Sequence, residues 1–360
     1  MQKIRPVIMC GGAGTRMWPE SRESLPKQFI SLFGDRSTFK DTISMLAASP
    51  LFEIPMVITN QDYADLVRLQ VEAVGAKAEI VLEPMRRDSA AAVAAATEIA
   101  MSKDPQSILA VLAADHAIKN RAGMVAICAE AAMIAAQGYI VTLGIEPEYP
   151  ATGYGYIKTG EHIGTQGEVR KVAAFVEKPN LETAQSYCAQ GYLWNSGNFI
   201  FRADVMREEL VQFEPGIIEP VRQAVMNARI ELGLIHLDAK AFETAVKKSI
   251  DFAVMERTDR AAVIPANIGW SDIGTWSAVR DLTQRDDKGN AVRGDGVILN
   301  SQNAYIRSTG LLTTIVGVDN VIVVATADAV LVLNASQADK VKDLVDQLKQ
   351  NSRSEIARHR

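Results

Sequence analysis

Three glycines within four positions, followed by a hydroxyl and a guanidinium, make the first group with chemistry in it: Gly11-Gly12-Ala13-Gly14-Thr15-Arg16. Backbone without a Cβ lets amide N–H groups converge on an anion. An arginine adds a planar fork of donors suited to phosphate oxygens. Lys27, in Pro26-Lys27-Gln28-Phe29, adds a compact positive charge downstream. The apolar run Val7-Ile8-Met9-Cys10 reads as a short buried strand, so the group is a phosphate cradle at a strand's C-terminal end. It is not a Walker A loop, because no G-x-x-x-x-G-K-[ST] run is present. Nor does it open a dinucleotide-binding helix: Pro19 and Pro26 interrupt any helix after the glycines, and Asp35 falls in a turn-like Phe33-Gly34-Asp35-Arg36. A plain glycine turn is the other reading, and Thr15, Arg16 and Lys27 weigh against it.

The elements that must position this loop follow in order. Strand-like runs at residues 56–59, 79–82, 108–112 and 140–143 alternate with helix-like ones. Asn60 is placed to cap the first helix. An alanine-rich helix runs from Asp88-Ser89 to about Met101, and another from about Met124 to Gln137. This alternation predicts an α/β fold with a Rossmann-like mixed, mostly parallel sheet flanked by helices. Ligands on such sheets sit beyond the strand C-termini. Residues 11–16, Glu83-Pro84 and Asp115-His116 are therefore expected along one rim.

Beyond residue 150 the pattern loosens. Thr152-Gly153-Tyr154-Gly155-Tyr156-Ile157 is glycine-aromatic, and a strand over residues 172–176 delivers Glu177-Lys178-Pro179. Trp194-Asn195-Ser196-Gly197-Asn198 precedes an apolar Phe199-Ile200-Phe201, and helices are expected near 205–210 and 217–228. Asp286-Asp287-Lys288-Gly289-Asn290 reads as a linker. After it, short β-type runs recur about every ten residues, predicting a small β unit. Ser336 is placed to start a closing helix reaching about Gln350, with Val341, Leu344, Val345 and Leu348 on one face. The polar residues from Ser352 to Arg360 are expected to fray. The expected domains are thus 1–285, 290–350 with the closing helix, and a 351–360 tail.

The chain has 360 residues, 48% of them hydrophobic, with a net charge of −5. That bounds a large α/β domain plus a smaller one, and the mixed, slightly acidic charge argues against nucleic acid as partner. Cys10, Cys128 and Cys188 have neither disulfide nor zinc spacing. The start of the chain lacks a signal-peptide pattern and no run is long enough to span a membrane. A cytoplasmic protein without membrane or nucleic-acid partners is expected.

Together the motifs resemble the sugar-nucleotidyltransferase superfamily over nearly the whole chain. The residues that carry the resemblance are the 11–19 loop with residues 26–29, Phe175-Val176-Glu177-Lys178-Pro179, Trp194-Asn195-Ser196-Gly197, Ser249-Ile250-Asp251 and Trp270-Ser271-Asp272-Ile273-Gly274-Thr275-Trp276. Trp18-Pro19, the Pro-Lys-Gln-Phe run and the last segment look like the branch acting on mannose 1-phosphate. There are departures: Ala13 and Met17 stand where the family has Ser and Leu, and Glu83-Pro84-Met85-Arg86-Arg87-Asp88-Ser89-Ala90 replaces its Glu-Pro-x-Gly-Arg-Asn-Thr-Ala. Longer members carry a cupin isomerase half; none follows here, so a single activity is expected.

The resemblance implies transfer of GMP from GTP to α-D-mannose 1-phosphate, releasing pyrophosphate. UTP, dTTP or ATP as donor, or a non-catalytic regulatory subunit, are the alternatives. Gly11, Gly12, Gly14 and Thr15 would hold the nucleotide, Arg16 its β- and γ-phosphates, and Lys27 the α-phosphate, with Glu83, Ser89 and Ala90 at the ribose and base. Asp115 and Asp272 would ligate Mg²⁺ or another divalent cation, since that ion takes one or two carboxylates beside phosphate. Tyr154, Gly155, Glu177, Lys178 and Asn195 would form the sugar-phosphate pocket. Arg16, Lys27, Asp115 and Asp272 are the expected catalytic set. His116 and Trp194 read as structural, and the β unit as a short left-handed β-helix that packs or mediates a homodimer.

Overall fold

The residues Ile4–Cys10 are buried at all but one position, and they form the first strand, β1. A strand covered on both faces has no polar–apolar alternation, which is why the run reads as uniformly apolar. The computed structural model describes residues 2–12, 14–164 and 168–359; Ala13, one of the departures noted above, lies outside the described residues.

The other strands are β2 (Met56–Asn60), β3 (Glu79–Glu83), β4 (Ile108–Ala113), β5 (Ala117–Ile118), β6 (Ile140–Ile145), β7 (Gly155–His162), β8 (Arg170–Glu177), β9 (Leu193–Arg202), β10 (Arg229–Glu231), β11 (Leu234–His236), β12 (Ala261–Pro265) and β13 (Trp270–Ser271). One eleven-stranded sheet takes the order β10-β11-β3-β2-β1-β4-β9-β6-β12-β8-β7. Strands β11, β3, β2, β1 and β4 run parallel, as do β6 and β12. β9 enters antiparallel between β4 and β6, and β7 and β8 form an antiparallel edge. The sheet is therefore mixed, with its parallel run around β1.

Helices flank it: α1 (Thr38–Ala47), α2 (Ala64–Ala73), α3 (Asp88–Met101), α4 (Arg121–Ala135), α5 (Leu181–Ala189), α6 (Ala203–Phe213), α7 (Pro215–Met226) and α8 (Ala239–Phe242). Helix α3 is buried on all sides from Ala90 to Ala100. A helix apolar all round belongs in a core, and the alanines let α6 and α7 pack against it closely. Trp194 to Asn198 does not precede a strand, as its sequence suggests, but lies inside β9. Gly197 absorbs the irregularity with φ 70°, and the pairing with β6 shifts between Thr142 and Gly144.

The chain divides into two compact units. The first comprises the residues up to Gly11, Thr42–Ala114 and Ile118–Trp270; the second comprises Gly12–Asp41, Asp115–Ala117 and the chain from Ser271 onward. In the second unit, β14 (Ala291–Arg293), β15 (Gly296–Leu299), β16 (Tyr305–Ser308), β17 (Thr313–Val316), β18 (Val321–Ala325) and β19 (Val330–Asn334) follow α9 (Trp276–Leu282) and precede α10 (Val341–Gln350). β14, β16 and β18 stack in parallel register, as do β15 and β17, so successive turns of chain lie over one another as in a solenoid.

This unit's core joins Met17, Trp18 and Leu32 from the glycine-loop segment to Trp276, Tyr305, Ile322 and Val345. Polar ties reinforce it. Arg307 forks onto the Glu20 carboxylate in a buried pair. Trp276 Nε1 donates to the Trp18 carbonyl at 2.9 Å, and Arg22 pairs with Asp328 at 2.8 Å.

Two expectations are corrected here. The closing helix does not start at Ser336: Asn334 caps a 3-10 segment, Ala335–Lys340, and α10 begins after it. The described residues after Ser352 are not frayed. Ile356 is buried, the Glu355 carbonyl accepts from Trp18 Nε1 at 3.0 Å, and Ser24 N–H donates to the Ala357 carbonyl at 2.9 Å.

Candidate functional site

The expected phosphate and cation residues after Gly11 all belong to the second unit. The loop makes a single 3-10 turn at Thr15–Met17 and another at Lys27–Phe29, so the prolines do exclude a helix here. Gly12 and Gly14 adopt φ 94° and 59°. At Gly14 a Cβ would meet Ser21 Oγ at 2.7 Å and Lys27 N at 3.0 Å, so both conformation and space demand glycine. Nothing lies within 4 Å of a Cβ built at Gly11 or Gly12. Arg16 is exposed and forms no ion pair among the described residues.

Lys27 joins the two expected cation ligands. Its Nζ lies 3.0 Å from Asp115 Oδ2 and donates to the carbonyls of Asp272 at 2.7 Å and Ile273 at 3.1 Å. All three ammonium donors are thus engaged. Ile273 is held at φ 48°, an outlier for a β-branched side chain, and this conformation accompanies the two neighbouring carbonyls that Lys27 gathers. Asp272 Oδ1 accepts the Gly274 N–H at 3.0 Å, and a Cβ at Gly274 would come within 2.7 Å of Asp272 Oδ2. Burial works to raise the Asp115 carboxyl, but Lys27 and His116 outweigh it and hold it below the usual carboxylate range. His116 is held low by burial, against the opposing pull of Asp115 and Asp272. A neutral imidazole packed beside the carboxylates fits a structural part.

The expected sugar residues gather in the first unit. Strand β8 ends at Glu177, whose Oε1 is 2.8 Å from Lys178 Nζ. Lys178 has φ 49°, and its N–H donates to the Tyr154 carbonyl at 3.2 Å, turning the chain where the strand stops. Gly155 leaves room for its neighbour: a Cβ there would stand 2.5 Å from Glu177 Oε2, which would have to swing aside. Tyr154 packs edge-on against both Trp194 and Trp270, and Trp194 is a buried packing residue as its sequence context implies.

Asn195 is itself buried, and its side chain is turned to the framework. Its Oδ1 accepts from Thr142 Oγ1 at 2.9 Å and Gly197 N–H at 3.1 Å, and its Nδ2 donates to Asp251 Oδ1 at 2.9 Å. Asp251 is the residue that sequence reasoning did not place in a site. It opens a π-helical turn, Asp251–Met255, a feature frequent at functional sites. Burial and the nearby Glu177 push its carboxyl up to about 7. The Ser249-Ile250-Asp251 run was visible as a motif, but only the fold brings it to Asn195 and Glu177.

At the far end of β3, Glu83 is pushed up to about 8 by burial, and its Oε1 has no hydrogen-bond partner. Ser89 Oγ accepts the Ile250 N–H at 2.9 Å, tying the start of α3 to the Asp251 segment. Ala90 is fully buried and its N–H is taken by the Lys248 carbonyl at 3.1 Å.

These two carboxyls predict a pH dependence. Both bind their proton more tightly folded than unfolded, so the unfolded chain releases it first as pH rises. The stability they lend is full below the ordinary carboxylate range and is lost toward about 7 for Asp251 and about 8 for Glu83. The unfolding midpoint should fall across that window. Asp251→Asn and Glu83→Gln should each flatten the fall in a pH series of thermal melts, whereas unchanged slopes would show that neither carboxyl is held protonated.

A model of the nucleotidyl transferase family matches residues 5–289, and a model of the MannoseP isomerase/GMP-like beta-helix domain matches residues 294–348. The chain is similar to a mannose-1-phosphate guanylyltransferase of Klebsiella pneumoniae, 42% identical over 360 residues, covering 99% of this chain and 76% of that protein. It is equally similar to the xanthan biosynthesis protein XanB of Xanthomonas campestris pv. campestris, 42% identical over 363 residues, covering 100% of this chain and 76% of that one. Among solved structures it is similar to a mannose-1-phosphate geranyltransferase from Thermus thermophilus, with TM-score 0.86, 30% identity, and 97% and 100% of the two chains covered.

Proposed function

The chain belongs to the nucleotidyl transferase family, and from that premise we propose that it transfers GMP from GTP to α-D-mannose 1-phosphate, releasing pyrophosphate. The observation that carries the reading is the Lys27 hub, which ties the Asp115 carboxylate to the Asp272 backbone in the unit that holds the glycine loop from Gly12 onward. Relatives bearing the guanylyltransferase name match along the whole chain and supply the substrates.

In this reading an oxygen of the sugar phosphate forms a bond to the α-phosphorus in line with the departing pyrophosphate. The bond from the α-phosphorus to the bridging oxygen breaks, and the electron pair leaves with the pyrophosphate. No general base is needed, because the attacking phosphate is already ionised. The protein's work is charge compensation and alignment. Gly11, Gly12, Gly14 and Thr15 offer backbone donors to the nucleotide, and Arg16 neutralises the β- and γ-phosphates. Lys27 exchanges one of its present contacts for an α-phosphate oxygen, where negative charge grows.

Among the described residues no three His, Cys, Asp or Glu side chains converge as a metal cage. Two carboxylates, Asp115 and Asp272, fit Mg²⁺ shared with phosphate and water. When bound, that ion would draw charge from the phosphate oxygens. Lys178 meets the sugar phosphate and Glu177 the sugar hydroxyls, with Tyr154 and Gly155 beside them and Asn195 as their support. Glu83, with an unpartnered buried oxygen, takes the donor edge of guanine, and Ser89 lies near the ribose.

We read residues 1–285 as the catalytic domain, 290–350 as the β unit and 351–360 as its tail. A homodimer accompanies this reading by resemblance, and a place in the cytoplasm is its default. No helix among the described residues is long and apolar enough to cross a membrane.

The test is pyrophosphate release from mannose 1-phosphate and Mg²⁺ with GTP, UTP, dTTP and ATP in turn. Release with GTP foremost supports the reading. Release with another nucleotide and not GTP removes the guanine assignment, and none with any favours a non-catalytic subunit.

A further inference from the structure

We propose that the first unit carries a second anion site, at the end of the sheet away from Glu83, which takes a small molecule bearing two phosphate groups. A cavity of about 910 Å³ opens there, walled by the starts of β1, β3 and β11 and by α2. Glu79 opens β3 at this cavity and Glu83 closes the same strand at the candidate base site, so the two places are separated by the strand's length. The volume is that of a pocket for a metabolite-sized ligand.

Charge decides what kind. Lys3, Arg5, Arg68, Lys77 and Lys103 line the cavity against Glu53, Glu72 and Glu79, leaving an excess of two positive charges. Among the described residues, of these three carboxylates only Glu79 is committed to cations, pairing with Arg5 and, at 3.1 Å, with Lys103. Among the described residues Lys3, Arg68 and Lys77 form no ion pair, and they stand exposed on the cavity's wall.

The second observation lies at the floor. The Arg5 side chain is only 9% exposed, and its Nε has no hydrogen-bond partner. A buried guanidinium donor left unmatched is costly, and a phosphate that draws the Arg5 side chain toward the cavity would give that donor an acceptor. Arginine's fork suits phosphate, and the surrounding ammonium groups suit a second one as point charges. None of these residues takes part in the proposed reaction.

The experiment measures binding of glucose 1,6-bisphosphate by calorimetry, with inorganic phosphate as the smaller comparison, in the absence of divalent cation. Three proteins are compared: the unaltered chain, the double variant Arg68→Glu with Lys77→Glu, and Lys27→Ala. The proposal expects saturable binding that weakens at least tenfold in the double variant and persists in Lys27→Ala. Tighter binding of the bisphosphate than of inorganic phosphate is also expected. Should the charge-reversed protein fail to fold, Arg68→Gln with Lys77→Gln serves, and a several-fold weakening is expected. No saturable bisphosphate binding, equal binding by the variant, or loss of binding only in Lys27→Ala would overturn it. The last outcome would place the anion on the glycine loop instead and leave the proposed function standing.

Discussion

Lys27→Ala should lower pyrophosphate release from GTP and mannose 1-phosphate at least about a hundredfold, the size of one strong electrostatic contact to developing charge. The structure gives two reasons that act together. The ammonium is the positive charge proposed to face the α-phosphate. It is also the tie between Asp115, at 3.0 Å, and the carbonyls of Asp272 and Ile273. Without it, Asp115 loses the partner that holds its carboxyl low, and two carbonyls lose their donor. Lys27→Arg should restore less than the retained charge suggests, because a planar fork cannot direct three donors at three separate acceptors from one nitrogen. Steady-state kinetics with both variants checks this. Rates like those of the unaltered chain in Lys27→Ala would refute the mechanism as drawn.

The second large effect is expected at Asp272. Asp272→Ala should cost at least about a hundredfold in turnover, on the scale of a lost charge-stabilising contact. Its carboxylate also accepts the Gly274 N–H at 3.0 Å, so a loss could come from the turn alone. Asp272→Asn separates the two. The amide oxygen can still cap Gly274 but brings no charge to a cation. A ligand role predicts that Asp272→Asn stays slow at ordinary Mg²⁺ and recovers partly as Mg²⁺ is raised. A turn role predicts near-normal rates in Asp272→Asn without any change in Mg²⁺ requirement. Rate measurements across a Mg²⁺ titration tell them apart.

The conformation of the glycine loop was legible in the sequence because glycine and proline spacing acts locally. Gly14 must be glycine for reasons of φ and of a neighbour seven positions on, and Pro19 and Pro26 end any helix. The strands of the parallel run were legible from burial on both faces. Asp251 was not, because its meaning comes from Asn195 and Glu177, which are distant in sequence. Nor was the work of the β unit, which as a run of short strands shows no chemistry. Its Arg307 and Asp328, with Trp276 of α9, hold Glu20, Arg22 and Trp18, the residues through which the glycine loop continues. The polar tail looked frayed for the same reason: hydropathy says nothing of Trp18 donating to the Glu355 carbonyl. Asn195 was legible as important but its direction was not, since only the pairing of β9 with β6 shows its amide turned toward Thr142.

In the proposed reaction, backbone amides, Arg16, Lys27 and one carboxylate-held ion bring two mutually repelling phosphate compounds together. A crystal structure with a non-reactive GTP analogue, Mg²⁺ and mannose 1-phosphate tests it most directly. The triphosphate should lie on the amides of Gly11, Gly12 and Gly14, with Arg16 on its outer phosphates and the ion on Asp115 and Asp272. A triphosphate bound away from that loop, or an ion held by neither carboxylate, would contradict it.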